Sequence, residues 1–299
     1  MPNFRNLWVR FALHPLQAVV VGVIFWIFWL LPYSWASGFG GWLARTLGPC
    51  LGLSRRADSN LRRVFPEMSP AEMRKIVIAM WDNLGRTAGE YPHLNRIDVY
   101  SESGPVEVVG AEHIDLLRDD GKPGVFFSGH LANWEMISPV IHQRGLALDQ
   151  VYRAANNPLV EWVFRRRQIA GGGKTIPKGA KGARELLSAV KAGRHLTMVI
   201  DQKMNDGIAV PFFGIDAMTA PALAQLALKY DCPIVPVRIE RTSGAKFRVE
   251  AFPPIQPATT GDHHHDIAVF MTRVNEMLEQ WIRERPEQWL WLHNRWPKD

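Results

Sequence analysis

Cysteine is scarce in this sequence, whose 299 residues include only Cys50 and Cys232. The two lie far apart and form no C-x-x-C pair, which excludes disulfide-stapled scaffolds and zinc fingers and fits a reducing compartment. Low-complexity tracts and repeats with a period of about 20 to 50 residues are also missing, which argues against solenoids and propellers. Hydrophobic residues make up 47% of the chain and charged residues 21%, a composition that excludes a disordered protein.

Acidic residues are the minority among the charges, because 29 Asp and Glu stand against 35 Lys and Arg, for a net charge of +6. This excess favours anionic partners, whether nucleic acid, anionic lipid or an acidic carrier protein. We expect no nucleic-acid partner, because the sequence has no recognisable nucleic-acid module and carries a bilayer-seeking run near its N-terminus.

Charged side chains are missing between Arg10 and Arg45, and residues 16–31 are apolar except for Gln17 and Gly22. The run predicts a hydrophobic membrane helix, which over 16 residues reaches about 24 Å against a hydrocarbon core of about 30 Å. Spanning therefore needs extra turns, and a tilted or half-inserted anchor is equally consistent. A cleaved secretory signal and a buried core helix are the alternatives. Five tryptophans are typical of interface anchors: Trp8, Trp26, Trp29, Trp35 and Trp42.

Arginine is unevenly distributed about this run. Arg5 and Arg10 precede it, and five arginines follow it: Arg45, Arg55, Arg56, Arg62 and Arg63. By the positive-inside tendency this distribution favours a cytoplasmic body.

The rest of the chain alternates between strand and helix patterns. Ser69-Pro70-Ala71-Glu72 combines an N-cap, a proline at the first helical position and a capping-box glutamate, and predicts a helix to about Tyr91. Strands are predicted at residues 106–109, 124–128, 148–152, 196–200, 234–239 and 247–252. Helices are predicted at about 133–145, 158–170, 179–192, 220–230 and 264–285.

This alternation predicts an α/β fold, with a mostly parallel mixed sheet flanked by helices. We expect two units, an N-terminal membrane anchor over residues 1–45 and an α/β domain over 46–299, with a helical lead-in to about residue 100. Ligands of such sheets sit at the carboxyl ends of the strands, so the residues after each predicted strand are the first candidates.

His130 and Glu135 are the chemical candidates. The strand that ends at Ser128 leads into Gly129-His130, and a helix is expected to begin before Glu135. With His130 in the turn, a carboxylate in the following helix can reach one imidazole nitrogen and leave the other free to take a proton. The sequence has no G-x-S-x-G elbow, so direct transfer to a hydroxyl is simpler than a covalent acyl-enzyme. Alternatively, His130 caps a helix and Glu135 is a solvated surface residue.

Five ordered blocks resemble one family. Residues 128–135 (SGHLANWE) resemble the His-x4-Glu block of the lipid A late acyltransferases, the lauroyl and myristoyl transferases, which are relatives of the glycerolipid acyltransferases. Four further blocks follow in the family's order: Val151-Tyr152-Arg153 with Asn157-Pro158, Ile200-Asp201-Gln202, residues 211–214 with Ala217 and Thr219, and residues 286–296. With the N-terminal anchor, the resemblance covers nearly the whole chain. The chain departs from it at Ala220, Pro221 and Ala222, where many members have a glycine.

The resemblance implies a glycerolipid-acyltransferase-like fold and a bacterial inner-membrane enzyme whose catalytic domain faces the cytoplasm. Such an enzyme moves a fatty acyl chain from an acyl-carrier-protein or coenzyme A thioester to a hydroxyl of a lipid A precursor or similar glycolipid. By the same resemblance, His130 is the general base and Glu135 orients it. The implied substrate-binding residues are Arg153, Asn157, Arg167, Asp201 and Gln202. Arg167 is the best match among three adjacent arginines, and Asp201 matches the family's functional acid.

Several of these residues have a second interpretation from the sequence. Arg153 suits a phosphate or a carbonyl but equally a surface salt bridge, and Asp201 suits a turn cap. The basic stretch around Gly171-Gly172-Gly173 suits an acidic carrier, a glycolipid phosphate or anionic lipid, and equally a solvated helix face. This glycine triplet lacks the spacing of a phosphate loop.

No cofactor or metal is expected. Three consecutive imidazoles rarely point at one ion, so His263-His264-His265 are predicted to lie in a loop that leads into a helix. A tryptophan cluster is either core or interface belt: Trp281, Trp289, Trp291 and Trp296.

Three functions remain open from the sequence. The first is the lipid A acyltransferase. The second is an acyltransferase on another acceptor, such as a glycerolipid, a mannosylated phosphoinositide or an ornithine lipid. The third is a non-catalytic lipid-binding membrane protein that kept the fold.

Overall fold

The computed structural model describes residues 12–296, except for the side chains of residues 164–167 and of 180 and 181. Arg5, Trp8 and Arg10 lie outside the described residues. The described α-helices are α1 His14–Leu30, α2 Tyr33–Leu47, α3 Ser54–Val64, α4 Pro70–Glu90, α5 Ala111–Asp119, α6 Ile137–His142, α7 Arg165–Gly171, α8 Ala180–Lys191, α9 Ala222–Tyr230 and α10 His263–Glu284. The described strands are β1 Val106–Val109, β2 Val125–Ser128, β3 Leu148–Tyr152, β4 Gly172–Pro177, β5 His195–Val199, β6 Ile208–Phe212, β7 Ile215–Thr219, β8 Ile234–Ser243 and β9 Lys246–Ala251.

Seven strands form one mixed sheet in the order β1-β9-β8-β2-β5-β3-β4. Every neighbouring pair is parallel except β8 and β9, which are antiparallel. Parallel neighbours need crossover connections, and the intervening helices cover both faces of the sheet. The α/β prediction with a mostly parallel mixed sheet therefore agrees with the observed topology. Strands β6 and β7 form a separate antiparallel hairpin.

Two buried clusters lie on the two faces of the sheet, and strand β2 contributes side chains to both. In β2, Val125 and Phe127 belong to one buried cluster and Phe126 belongs to the other. This division follows from the two-residue period of a strand, which turns successive side chains to opposite faces. All four residues of β2 are buried, so the strand is a rigid support for the turn that follows it.

The N-terminal membrane helix of the sequence prediction is wrong as a spanning segment. Within residues 12–296, no helix is long and apolar enough to cross a membrane. Helix α1 has 17 residues, a rise of about 25 Å against the roughly 30 Å of a hydrocarbon core, and the chain leaves the helix before Pro32. The helix also contacts the α/β body, because the Phe28 carbonyl lies 2.8 Å from Nε2 of His93.

Helices α2 and α4 cross at a contact between glycines. A Cβ built on Gly85 of α4 would lie 2.1 Å from the carbonyl oxygen of Gly40 in α2, and one on Gly89 would lie 2.2 Å from that of Ala36. Only residues without a side chain allow two helix backbones to approach so closely. The contact fixes α2 against α4. Helix α4 begins with the predicted capping box of Ser69 and Glu72.

Two further sequence predictions, on the tryptophans and the three histidines, have an outcome in the structure. Four of the tryptophans form part of the core, with no more than 3% exposure: Trp281, Trp289, Trp291 and Trp296. His263, His264 and His265 open helix α10 rather than lying in a loop, and Asp262 caps that helix by accepting from the backbone N–H of His264 and His265. In the part of the chain that the structure describes, no group of three or more potential ligands could hold a metal ion.

Candidate active site

Four neighbouring strands end at one edge of the sheet, in the order β2-β5-β3-β4. Because they are parallel, their carboxyl ends lie side by side. His130 follows β2, Asp201 follows β5, Arg153 follows β3 and Lys178 follows β4. The edge therefore carries an imidazole, a carboxylate and two cations.

Strand register brings His130 and Asp201 together. Ser128 pairs with Val199, and the two candidate residues each lie two positions beyond that pair. Nδ1 of His130 is 2.6 Å from Oδ1 of Asp201, and the backbone N–H of His130 donates to Oδ2 of the same carboxylate at 2.7 Å. The indole N–H of Trp289 also donates to Oδ2, at 2.6 Å.

Asp201 is ionised in this setting. Burial would raise the pKa of its carboxyl group, but the nearby His130 and the hydrogen bonds from His130 and Trp289 outweigh burial and hold that pKa well below 3.8. An ionised carboxylate accepts a hydrogen bond from the protonated Nδ1, which leaves Nε2 of His130 as the basic nitrogen.

The carboxylate on Nδ1 is therefore that of Asp201, where the sequence analysis expected Glu135. Glu135 lies in a short 3-10 turn over Trp134–Met136, is 3% exposed, and accepts a hydrogen bond from the indole N–H of Trp134 at 2.9 Å. The difference has a physical reason. The five-residue spacing of His130 and Glu135 carries information about local geometry only. The partner of His130 is set by the pairing of β2 with β5, which brings in Asp201 from 71 positions away in the sequence.

The turn after His130 is held by buried polar groups. Ala132 has a φ of 47°, in the left-handed region that a residue with a Cβ rarely adopts. Its carbonyl accepts from Asn83 Nδ2 at 3.0 Å and from Thr87 Oγ1 at 3.1 Å, both on helix α4, and its N–H donates to the carbonyl of Gln288 at 2.9 Å. These contacts offset the strain of the turn and fix the position of His130.

A buried ion pair lies directly behind this turn. Glu90 of α4 accepts from Arg241 of β8, from Ser37 Oγ at 2.6 Å and from Asn133 Nδ2 at 2.8 Å. The network joins helix α2, helix α4, the sheet and the active-site turn. Removing one member would leave a buried charge unpaired, so the network fixes one arrangement of these elements.

Gln202 bridges two imidazoles. Its Nε2 lies 2.9 Å from Nε2 of His130 and 2.7 Å from Nε2 of His293. An amide nitrogen carries two N–H donors, so it can donate to both rings when both Nε2 atoms are unprotonated. With the amide turned over, the oxygen of Gln202 would face Nε2 of His130, which would then have to carry the proton of the neutral ring. The Nδ1 lone pair would in that case face the carboxylate of Asp201. The arrangement thus assigns the Nδ1–H tautomer to His130.

An open cleft lies at this edge of the sheet, and His130, Gln202 and His293 are among the residues that line it. It is lined by His130, Trp134, Glu135, Ile137, Ser138, Gln150, Val151, Tyr152, Arg153, Lys178, Thr197, Val199, Gln202 and His293. Ser138 Oγ and Thr197 Oγ1 are buried and have no hydrogen-bond partner among the residues that the structure describes. A buried hydroxyl without a partner costs free energy. A ligand in the cleft that forms a hydrogen bond with either hydroxyl would therefore recover some of this free energy.

The rim of the cleft is basic. Arg153 and Lys178 are both exposed, and Lys178 follows a strand that the sequence analysis did not predict. Burial of part of its side chain lowers the pKa of Lys178, and the cation of Arg153 lowers it further, whereas Asp201 opposes the shift. Arg167 lies in helix α7, and its side chain is outside the described residues.

Asn157 has a different place from the one expected. Its Nδ2 donates to the carbonyl of His14 at 2.8 Å and to Oε1 of Gln17 at 3.2 Å, and its Oδ1 accepts from the N–H of Leu159. The side chain therefore fastens helix α1 to the body and does not line the cleft. The described contacts of Asn157 stabilise the packing of helix α1 and the turn at Leu159.

Sequence reasoning missed His293 and the role of Trp289 and Lys178 at this site. His293 and Trp289 both lie in the C-terminal block at residues 286–296, but a block match does not say which strand end its side chains face. The sequence does not single out Lys178, because β4 contains two glycines and a proline and has no strand signal.

The comparisons with known proteins identify the family of this chain. A family model described as bacterial lipid A biosynthesis acyltransferase matches residues 10–298. The chain belongs to the bacterial lipid A biosynthesis acyltransferase family. The expected family membership is thereby confirmed.

Relatives of this acyltransferase family member are distant in sequence. It is 27% identical to the lipid A biosynthesis lauroyltransferase of Escherichia coli K12, with 99% of this chain and 95% of that protein covered. It is 24% identical to the lipid A biosynthesis myristoyltransferase of the same organism, over 80% of this chain and 73% of that protein. Among solved structures, the 1-acyl-sn-glycerophosphate acyltransferase PlsC from Thermotoga maritima superposes with a TM-score of 0.37 at 14% identity, covering 95% of this chain and all of that one.

Proposed function

We propose that this family member transfers a fatty acyl chain from a thioester to a hydroxyl group of a lipid A precursor, with His130 as general base. The observation that carries the proposal is the pairing of His130 with the buried carboxylate of Asp201 at the mouth of an open cleft. The relatives named as lipid A lauroyl- and myristoyltransferases support the acceptor class.

In the proposed reaction, Nε2 of His130 takes the proton of the acceptor hydroxyl while the oxygen attacks the thioester carbonyl. Asp201 fixes the tautomer and stabilises the imidazolium that forms. Collapse of the tetrahedral intermediate expels the thiolate, which receives the proton from His130. Glu135 belongs to the same cleft, and we assign it the secondary task of orienting Trp134 beside His130, since the two rings lie 4.9 Å apart.

The basic rim suits both substrates. Arg153 and Lys178 stand beside His130 and present exposed cations to a phosphate. A lipid A precursor, a coenzyme A thioester and an acyl carrier protein are all anionic, so the rim supports a charged donor and a charged acceptor. The donor is proposed as an acyl-carrier-protein or coenzyme A thioester, as the family resemblance implies.

We further propose that the chain binds the surface of a bilayer through helices α1 and α2, at the cytoplasmic face of the bacterial inner membrane. Trp26 is 60% exposed and Trp35 is 70% exposed, an arrangement unusual for water-facing helices. Other exposed apolar side chains of these helices recur at helical spacing: Leu16, Val19, Val20, Val23, Ile27, Leu30, Phe39 and Trp42. Such a face suits a helix that lies in the membrane interface.

The reaction is tested by mass spectrometry of a lipid A precursor incubated with an acyl thioester and the purified protein. The acceptor should gain one acyl mass with the wild-type protein. His130→Ala should abolish turnover, and His264→Ala, an exposed histidine at the start of α10, should leave it unchanged. Transfer to a glycerolipid, phosphoinositide or ornithine lipid in place of the lipid A precursor would replace the proposed acceptor. Full activity in His130→Ala would remove the proposed base.

Bilayer binding is tested by flotation with anionic vesicles. Trp26→Glu and Trp35→Glu together should move the protein from the vesicle fraction to the unbound fraction. Val269→Glu is the matched control, because Val269 is 50% exposed but lies on helix α10. Unchanged flotation of the double variant would contradict the proposed surface.

A further inference from the structure

His293 is a second imidazole in the cleft whose backbone is firmly held. Asn60 Nδ2 on helix α3 donates to the carbonyls of Trp291 and His293, each at 2.8 Å. Arg56 Nη1 on the same helix donates to the carbonyl of Leu292 at 3.0 Å. A buried asparagine that satisfies two carbonyls of one tight segment leaves that segment little freedom. The imidazole of His293 is thus fixed relative to the strand ends.

The ring of His293 faces His130 across Gln202. The two ring centroids are 5.5 Å apart, and Nε2 of Gln202 lies within hydrogen-bond distance of Nε2 of each. The base nitrogen of His130 is therefore covered by an amide N–H in this structure. An acceptor hydroxyl must take that position before His130 can remove its proton.

We propose that His293 is a positioning residue for acyl transfer, a proposal that rests on the function proposed above. His293 holds one N–H of Gln202 throughout the reaction, so that the other N–H stays in the cleft when a hydroxyl displaces it from His130. The released N–H then donates to the oxygen of the thioester carbonyl. Gln202 is the catalytic residue of the pair, because it contacts the reacting atoms.

The steps balance. The hydroxyl proton passes to Nε2 of His130 as the new C–O bond forms, and the carbonyl electron pair moves to oxygen. The N–H of Gln202 stabilises this oxyanion, a kind of contact whose loss costs about 10²- to 10³-fold in kcat. The C–S bond then breaks, the electron pair leaves with sulfur, and His130 returns the proton to the thiolate.

His293 suits this task because it is neutral. Burial lowers its pKa to about 4, and the neighbouring His130 adds to the shift. A neutral imidazole with its proton on Nδ1 accepts the N–H of Gln202 at Nε2, whereas an imidazolium in the same place could only donate.

Three substitutions at His293 separate the hydrogen bond from the shape of the side chain. Glutamine places an acceptor oxygen near Nε2, asparagine places one nearer Nδ1, and phenylalanine has none. We expect kcat to fall about 10- to 100-fold in His293→Phe with KM within about twofold, and His293→Gln to recover most of it. His293→Asn should stay close to His293→Phe. Thermal unfolding of each variant identifies any loss of fold, and the glutamine–asparagine pair still decides the outcome if phenylalanine is not tolerated.

A double-mutant cycle tests whether His293 acts through Gln202. Gln202→Leu should lower kcat about 100-fold, and adding His293→Phe should lower it no further, because the two residues act as one unit. Additive losses, full activity in His293→Phe, or a glutamine variant no better than phenylalanine would each overturn the inference.

One readout is independent of turnover. The ¹⁵N NMR signal of Nε2 of His130 should shift toward that of a nitrogen without a donor in His293→Phe but not in His293→Gln. If the wild-type protein transfers no acyl group while this coupling is present, the proposed function fails and the His293–Gln202 contact stands. If transfer occurs and the signal is indifferent to both substitutions, only the role of His293 fails.

Discussion

At the scale of single residues, the cleft contains groups that cost stability in the absence of a ligand. Thr197 Oγ1 and Ser138 Oγ are buried without a partner in the described part of the chain, whereas most buried hydroxyls in folded proteins have one. Both line the cleft that contains His130. We propose that a substrate in the cleft supplies hydrogen bonds to these two hydroxyls.

Thr197→Val removes one of these hydroxyls with little change in shape. Because the hydroxyl has no partner, we expect the free energy of unfolding to rise by about 1 kcal/mol while KM for one substrate rises about two- to tenfold. Thr87→Val is the control, since Thr87 is equally buried but donates to Asn83 and Ala132. That variant should lose about 1 kcal/mol. Chemical denaturation and steady-state kinetics measure both effects, and a stability loss in Thr197→Val would show that its hydroxyl is already satisfied.

At the scale of elements, helix α4 connects the N-terminal helices to the active-site turn. One of its faces packs on α2 through Gly85 and Gly89. Another supplies Asn83 and Thr87 to the carbonyl of Ala132. A change in the spacing of α2 and α4 therefore reaches the turn that carries His130.

Gly85→Ala should lower the free energy of unfolding by about 1–3 kcal/mol, because its Cβ would lie 2.1 Å from a backbone oxygen of α2. Intrinsic propensity predicts the reverse, since alanine favours a helix by about 1 kcal/mol over glycine. Gly38→Ala, on α2 with no atom within 4 Å of the added Cβ, should follow propensity and stabilise the protein. Equal effects of the two substitutions in thermal unfolding would refute the close backbone contact.

The sequence predicted most elements that have a strong local signal. The six predicted strands match β1, β2, β3, β5, β8 and β9 within about four residues, because β-branched and aromatic side chains are concentrated there. Strand β4 and the β6–β7 hairpin contain glycine or proline or have mixed polarity, so their pairing depends on neighbours distant in sequence. The sequence does not predict α2 as a separate helix, because its glycines have a low helix propensity, although they allow close packing against another helix.

The site was predictable only in part for the same reason. His130 and Asp201 were each singled out, but their contact depends on the register of β2 and β5, which no local pattern encodes. Nearness in sequence and the family resemblance both favour Glu135 as the partner, whereas the strand register brings Asp201 to His130. The apolar run at residues 16–31 predicts a helix, which α1 confirms, but no helix within residues 12–296 is long and apolar enough to span a membrane.

At the scale of the whole molecule, acid should destabilise the fold in a defined range. The pKa of His293 falls from 6.5 to about 4 on folding, so between these values the unfolded chain binds more protons than the folded one. The free energy of unfolding therefore decreases as the pH falls through this range, by up to about 3 kcal/mol. Burial lowers the pKa of His195 as well, with the same sign. The lowered pKa of Asp201 acts only at more acidic pH, below 3.8.

Denaturation at several pH values tests this expectation. His293→Gln removes one titrating group, so its unfolding free energy should depend less steeply on pH between about 6.5 and 4 than that of the wild-type protein. Parallel curves for the two proteins would mean that His293 titrates normally in the folded chain.

The central claim is that Asp201, rather than Glu135, holds the catalytic tautomer of His130. Its most direct test is kcat for acyl transfer to a lipid A precursor in two isosteric variants, Asp201→Asn and Glu135→Gln, measured on folded protein at one pH. We expect Asp201→Asn to lower kcat by about 10³- to 10⁴-fold, as in hydrolases that lose the carboxylate behind their histidine, and Glu135→Gln by about tenfold or less. A larger loss in Glu135→Gln than in Asp201→Asn would contradict the account.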